Sequence, residues 1–292
     1  MDVAFVITEL EPGGAERCLV RLALGLSRRG HCVNIISLGC EPRSGRDELI
    51  LELRANGIEP HFLGFSNYFE FFRAKRRLRV LLNKIAPDIV QSFLFHANIL
   101  CGKIKSRCCF KLIAGLRVSE PRRLRQWMMR YHRSMFHRTI CVSEDVRFYA
   151  QRQLGFPINI LAVIPNGIDL ERFNAIKPAE ARDLNFDKTP PLLTFIGRVH
   201  RQKGVDLITT NAKSILQACP KHHIAIVGDG PSKQRMERSI NASGLAARVH
   251  FYGYREDAAA ILKASQLLLF PSRWEGMPSN FLPAYILLQL PT

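Results

Sequence analysis

Three loops of this 292-residue sequence hold residue types that can handle anions and hydroxyl groups. The first is Glu11-Pro12-Gly13-Gly14-Ala15-Glu16, between a strand-like run and a helical stripe. Two glycines let the backbone come close to a ligand, and a helix N-terminus favours negative charge. The same pair would serve equally as a tight strand-to-helix turn. It is not the G-x-G-x-x-G fingerprint, so a dinucleotide site is disfavoured. The second loop is Ile196-Gly197-Arg198-Val199-His200-Arg201-Gln202-Lys203-Gly204. Arg198 can grip phosphate oxygens with its planar fork, and Lys203 adds a second cation. Together they would neutralise a departing diphosphate; the alternative is a solvated basic loop. The third runs from Phe270 to Asn280 and holds one carboxylate, Glu275, before a helix expected to start near Ser279. That carboxylate can accept hydrogen bonds from sugar hydroxyls while the helix start faces phosphate, or it is simply solvated.

Two strand ends join the set. His96 follows the apolar run 88–93 and would point into a cleft, or else be a core or helix-capping histidine. Gly228-Asp229-Gly230-Pro231 is a turn close to a phosphate or base, or a plain strand-to-helix turn.

Positioning such loops needs strands that end beside one another. Val3–Thr8 reads as a buried strand. Ala15, Cys18, Leu19, Leu22, Ala23 and Leu26 then form one helical stripe, closed by Gly30. Strand-like runs follow at 32–38, 88–93, 110–116, 139–143 and 161–165, and Phe71, Leu78, Leu81, Leu82 and Ile85 mark a further helix stopped by Pro87. After a polar, proline-containing stretch at 174–191 the alternation restarts. Strands are expected at 192–197, 224–227, 249–252 and 267–270, with helices at 205–218, 232–243 and 258–264. Alternation of this kind predicts parallel sheets flanked by helices. The reading is α/β, with two doubly wound domains, 1–168 and 169–292. The second has only about four strands, fewer than such a layout usually has.

The composition bounds the rest. Hydrophobic residues are 47% and charged residues 23%, close to globular averages, which excludes a largely disordered chain. No apolar run approaches the ~18 residues of a membrane span, and the start has no basic leader, so neither a spanning helix nor a secretory signal is expected. The eight cysteines include no C-x-x-C pair, and Cys32 and Cys141 sit in apolar runs. Reduced thiols in a cytosolic protein are expected, with no metal or disulfide framework. The net charge of +17 is uneven, at +12 over residues 1–165 and +5 over the remainder. Arg73, Lys75, Arg76, Arg77, Arg79 and Lys84 crowd one helix. Arg117, Arg122, Arg123, Arg125, Arg130, Arg133 and Arg138 crowd the next basic stretch, among Trp127, Met128, Met129, Tyr131 and Phe136. Each run reads either as a solvated face or as attraction to an anionic surface. The interleaved aromatic and apolar residues favour phospholipid over nucleic acid.

Taken in order, these segments resemble a known family. Gly13-Gly14-Ala15-Glu16, Ser143-Glu144, Pro165-Asn166-Gly167-Ile168-Asp169, Gly197-Arg198 with Lys203-Gly204, Val227-Gly228-Asp229-Gly230-Pro231, and Pro271-Ser272 through Glu275-Gly276-Met277-Pro278 follow the pattern of the retaining, nucleotide-sugar-dependent glycosyltransferases of family four, the group-1 glycosyl transferases. The resemblance runs the length of the chain. It implies a GT-B fold, two Rossmann-like domains facing across a cleft, with a UDP- or GDP-sugar on the second and the acceptor on the first. It implies no metal and no cofactor beyond the nucleotide sugar. Carried over by position, Arg198 and Lys203 hold the diphosphate, and Gly14 approaches it through its N–H. Glu275 binds the donor sugar, and His96 lies beside that sugar. Gly13, Gly228, Tyr254, Arg255, Gly276, Met277 and Pro278 complete the sugar and nucleotide contacts. A glycan or lipid-linked acceptor is implied, as in lipopolysaccharide or capsule synthesis, with a cytoplasmic protein held peripherally on the inner membrane face and no nucleic-acid partner.

Two departures stand out. The family has a second glutamate where this sequence has Pro283, and that glutamate holds the donor ribose. A proline beyond the first helical turn costs on the order of 3 kcal/mol. The family also carries further strand–helix units beyond the position of Thr292. Both lead to the expectation of a truncated or frameshifted form with weak or no transferase activity. A catalytically silent remnant that docks on membranes is the competing function. A GT-B isomerase acting on UDP-N-acetylhexosamine is disfavoured by the Gly-Gly-Ala-Glu loop and the Gly-Arg…Lys-Gly spacing.

Overall fold

The computed structural model describes residues 1–65, 70–188 and 190–277. The chain divides into two compact units, Met1–Gly167 and Ile168–Thr292, where the sequence placed the boundary one residue later.

Unit 1 is a parallel sheet with helices on its faces. Its strands are β1 (Asp2–Ile7), β2 (Cys32–Ser37), β3 (His61–Phe62), β4 (Ile89–Phe93), β5 (Lys111–Leu116), β6 (Arg138–Cys141) and β7 (Leu161–Val163). They lie in the order β3-β2-β1-β4-β5-β6-β7, every pair parallel. The helices are α1 (Gly14–Ser27), α2 (Glu48–Ala55), α3 (Phe71–Ile85), α4 (Leu94–Lys105), α5 (Arg123–His132) and α6 (Glu144–Arg152). β1 is buried from Val3 to Ile7 because it sits mid-sheet and is covered on both faces. Phe5 meets Phe93 edge-on at 5.9 Å, and Leu19, Ile35, Leu49 and Leu53 close round them. The buried face of α1 is Glu16, Leu19, Val20, Ala23 and Leu24, whereas Leu22, expected inside, is exposed. The helix is apolar at 19, 20, 22, 23, 24 and 26, so two overlapping stripes compete, and the sheet takes the one containing Val20 and Leu24. α2 and β3 were not anticipated.

Unit 2 is smaller. It contains α7 (Leu170–Ala175), β8 (Leu192–Ile196), α8 (Val205–Ala218), β9 (His223–Val227), α9 (Lys233–Ala242), β10 (Val249–Gly253), α10 (Ala258–Lys263) and β11 (Leu267–Leu268). Its described strands form one parallel sheet in the order β10-β9-β8-β11. Phe195, Ile208, Ala212, Ile224, Ile226, Met236 and Ile240 pack on one face; Leu184, Leu192, Ala225, Val227 and Ile261 pack on the other.

All eight cysteines are free thiols. Cys141 is buried as expected, and burial pushes its thiol up to about 11. Cys32 is exposed instead, because it opens β2 at the end of the strand where cover is lacking.

Candidate active site

In open parallel sheets, ligands collect beyond the carboxyl ends of the strands where the strand order reverses. Unit 2 reverses between β8 and β11. The loop leaving β8 carries Gly197, Arg198 and Lys203; the loop leaving β11 carries Glu275, Gly276 and Met277. Residues more than 70 positions apart thus share one corner. Lys203 Nζ lies 2.5 Å from Glu275 Oε1, with each side chain about one-fifth exposed. The same ammonium stands 5.8 Å from the centroid of the Phe270 ring.

The two loops are stitched together. Gln202 Nε2 donates to the Trp274 carbonyl at 3.1 Å, and the Arg273 N–H donates to the Gln202 carbonyl at 2.8 Å. The Arg273 guanidinium makes two bonds to Asp206, at 2.6 and 2.7 Å, and holds that carboxyl below the usual range. Asp206 lies in the first turn of α8, where the helix dipole also favours its charge. Gly204 has φ +69°, and a Cβ there would fall 2.0 Å from the Pro271 carbonyl oxygen, so a glycine is what lets the loops meet. Arg198 is exposed and makes no ion pair among the described residues. Beneath it Val199 is buried, and its N–H donates to the Asp229 carbonyl at 2.8 Å. The backbone is therefore fixed while the guanidinium is presented to solvent.

The Gly-Asp-Gly-Pro turn after β9 packs on this loop. Gly197 N–H donates to the Val227 carbonyl at 2.9 Å, and Ser232 N–H donates to the Val199 carbonyl at 3.0 Å. At Gly228, φ is +134°, and a Cβ would fall 2.0 Å from the Gly197 oxygen. This glycine is demanded by loop-on-loop packing, a physical reason that holds with or without a ligand. Tyr254, just after β10, is half-buried. Arg255, expected near a base, is turned onto its own unit: it makes two 2.7 Å bonds to Asp257 and one of 3.2 Å to the Asp183 carbonyl. Pro278, Ser279 and Pro283 lie outside the described residues.

Unit 1 reverses between β1 and β4, and here too the expected residues gather. Gly13 is the N-cap of α1, and Gly14 is its exposed first residue. α4 starts directly after β4, with Leu94 at φ +69°. A bulky residue rarely adopts that conformation. It turns the chain from strand to helix without a loop and sets Phe95 and His96 in the first helical turn. His96 is half-buried and meets Phe95 edge-on at 5.3 Å. Burial, then the charge of Arg125, hold its imidazole below the ordinary value, against the opposing charge of Glu120. Arg125 lies over the Phe95 ring at 4.9 Å and bonds Glu120 at 2.8 Å. A small, mostly apolar cavity of about 50 Å³ opens beside these groups, lined among others by Phe95, Asn98, Arg117, Glu120, Met129 and Tyr149.

Glu16 belongs to the Gly-Gly-Ala-Glu motif, and the resemblance implies no role for it. Its carboxyl is buried beneath the loop, with Oε2 only 2.3 Å from where a Gly13 Cβ would be. Burial pushes it up to about 7 and the charge of Glu9 adds to the rise; its own backbone N–H, that of Ala15 and the Arg117 charge oppose it. The helix start offered to an external anion thus already holds an internal carboxyl. The signal was present: glutamate at the third helical position is where a capping-box partner sits. Arg117, which also bonds Cys18 Sγ at 3.4 Å and the Asn166 side chain, was read only as part of a basic run. Thr8 Oγ1 and Ser272 Oγ, one at each reversal point, are buried with no hydrogen-bond partner among the described residues. No group of three potential metal ligands occurs among those residues.

Residues 12–172 match the family model Glycosyltransferase Family 4, and residues 176–285 match Glycosyl transferases group 1. The chain belongs to the family-4, group-1 glycosyltransferases, of GT-B fold class. It is 29% identical, over 70% of its own length and 57% of the relative's, to the Escherichia coli UDP-Gal:alpha-D-GlcNAc-diphosphoundecaprenol alpha-1,3-galactosyltransferase. It is 26% identical, over 96% of its length and 75% of the relative's, to a Campylobacter jejuni alpha-1,4-N-acetyl-D-galactosaminyltransferase whose substrate is also a PP-undecaprenol glycan. Among solved structures, Anabaena Alr3699/HepE with UDP and glucose superposes with TM-score 0.77 at 17% identity, over 97% of this chain and 78% of that one. Sucrose-phosphate synthase of Thermosynechococcus elongatus gives 0.77 at 15% identity, over 97% and 79%. These two show likeness of fold. The first curated relatives are matched over 57%, 32% and 36% of their own lengths.

Proposed function

We propose that this chain handles a UDP-linked sugar and transfers it, with retention, to a glycan carried on a lipid diphosphate. The observation that carries the reading is the corner of unit 2 where strand order reverses. It presents the exposed guanidiniums of Arg198 and Arg201 beside the Lys203–Glu275 pair. A diphosphate there would take a bidentate bond from Arg198 and compete with Glu275 for the Lys203 ammonium. Glu275, released from Lys203, would accept bonds from sugar hydroxyls. The relatives named for UDP-galactose and for undecaprenol-diphosphate acceptors support the donor and acceptor classes.

In the proposed step, the bond between sugar C1 and the diphosphate oxygen breaks, and a bond from C1 to the acceptor hydroxyl oxygen forms on the same face. The acceptor proton passes to the departing phosphate oxygen. No side-chain base is then required, and the task of the protein is to hold charge that develops on the leaving group. Unit 1 is assigned the acceptor, with the Gly14 N–H and His96 as its contributions to transfer. No metal is assigned. The place of action is the cytoplasmic side of a membrane, since the acceptor is lipid-borne. Transfer is proposed to be impaired because Pro283 stands where the family has its second glutamate.

Incubation with UDP-galactose, UDP-N-acetylglucosamine, GDP-mannose and a polyprenyl-diphosphate-linked N-acetylglucosamine tests this. The expected result is binding of UDP-sugars with slow release of UDP. Failure to bind any nucleotide sugar would remove the reading; rapid transfer from GDP-mannose would replace the donor, and rapid transfer from UDP-sugars would remove the impairment.

A further inference from the structure

The start of α1 holds a carboxyl to which the transfer step gives no task. Gly13, the N-cap, has no side chain with which to take the free amides of the first turn. Glu16 does so from inside the helix. It is 7% exposed, and its carboxyl turns back to the backbone N–H groups of Ala15 and of Glu16 itself. Its Oε2 fills the space where a side chain at 13 would begin, 2.3 Å from the position of a Gly13 Cβ. The Arg17 N–H closes the first helical bond, to the Gly13 carbonyl at 3.0 Å. The Gly14 N–H makes no hydrogen bond among the described residues, and Gly14 is exposed. Two amides are thus turned to the internal carboxyl, and the next one is left for an external anion. That next one is the amide assigned above to the donor.

From this geometry we infer that Glu16 is a positioning residue for the donor diphosphate: it fixes the Gly13–Gly14 turn, leaves the Gly14 N–H for the ligand, and by its charge sets how strongly the α1 start attracts an anion. A neutral carboxyl leaves the partial positive charge of the helix start to the ligand. A carboxylate in the same place cancels that charge and repels a diphosphate. Being buried, it is screened less than a surface charge would be. The surrounding charges are mostly engaged elsewhere. Arg17 is paired with Glu48 of α2, Arg46 with Glu11, and Arg54 with Glu41 and Glu59; Glu52 is on α2. Cys18 Sγ accepts from Arg117, and Asp2 and Cys32 open β1 and β2 at the far ends of those strands. Burial raises the Glu16 carboxyl to about 7, Glu9 adds to the rise, and Arg117 opposes it. Donor affinity therefore falls as pH rises through about 7. The inference rests on the donor reading above and concerns the control of that same site.

The test is calorimetric titration of UDP-galactose into the full chain between about pH 6 and about pH 8. This probe is chosen because its diphosphate, esterified at both ends, has no proton to lose in that range, whereas the terminal phosphate of UDP does. Wild-type affinity should fall about fivefold across the range, with its midpoint near the Glu16 value. E16Q, of the same shape and always neutral, should keep the low-pH affinity throughout. E9Q alters an exposed residue outside the turn and should move the midpoint to lower pH, because the Glu9 charge raises the Glu16 carboxyl. Thermal unfolding reports whether E16Q is folded; if it is not, the wild-type and E9Q profiles still decide. A Glu16 that only supports the fold would give E16Q weaker affinity at every pH with the wild-type slope. That outcome, a flat wild-type profile, or an unmoved midpoint in E9Q would each overturn the inference and leave the donor reading standing. No binding of any nucleotide sugar at any pH would remove the donor reading and the inference with it.

Discussion

Glu16 shows how one side chain can carry both the shape of a loop and its response to pH. Its carboxyl fills the space that only a glycine at 13 leaves open, and burial raises it from 4.5 to about 7. A carboxyl raised on folding binds more protons in the native state than in the unfolded chain. The stability it contributes is complete below about 4.5 and is lost as pH rises to about 7, by at most about 3 kcal/mol. The histidines lowered by burial, His96, His132, His137, His223 and His250, act oppositely: their contribution falls away on acidification. The isolating measurement is therefore a difference. Thermal unfolding of Glu16→Gln should lose less stability than the wild type between about pH 5 and about pH 7, and parallel curves would show that the carboxyl titrates normally. Pro283 poses a separate question. If the proposed impairment rests on this position, Pro283→Glu should raise the rate of UDP release in the presence of acceptor; an unchanged rate would detach the proposed impairment from that residue.

At the scale of elements, the site depends on three loops, leaving β8, β9 and β11, that pack on one another. Gly228→Ala puts a Cβ 2.0 Å from the Gly197 oxygen at a φ that side chains rarely adopt. It should cost about 1–3 kcal/mol of unit 2 stability and weaken UDP binding together with it. Denaturant unfolding and calorimetry on the same sample check this, and loss of neither would mean that the loops can move apart freely. Much of this was legible in the sequence. α8 occupies the expected 205–218, because Gly204 and a stripe through Ile208, Ala212 and Leu216 mark it clearly. α2 and β3 were missed: an eight-residue helix and a two-residue strand give no usable periodicity. The Lys203–Glu275 pair could be suspected from motif order but not read as a contact, since it needs β11 to return beside β8. Arg255 looked like a ligand group because a motif position says nothing about Asp257 two residues on. The internal use of the α1 start by Glu16 was hidden for the opposite reason: burial, not spacing, creates it.

Across the whole molecule, charge and chemistry are divided between the units. The first carries +12, concentrated on α3 and around α5, and the second +5, with Arg198 and Arg201 exposed at its strand-order reversal. The most direct test of the central claim is calorimetric titration of UDP into the wild type and Arg198→Ala. A charge-assisted, two-pronged bond predicts affinity lowered about tenfold to a hundredfold in the variant, with partial recovery in Arg198→Lys. Equal affinity in all three proteins would contradict the assignment of the diphosphate to the corner between β8 and β11.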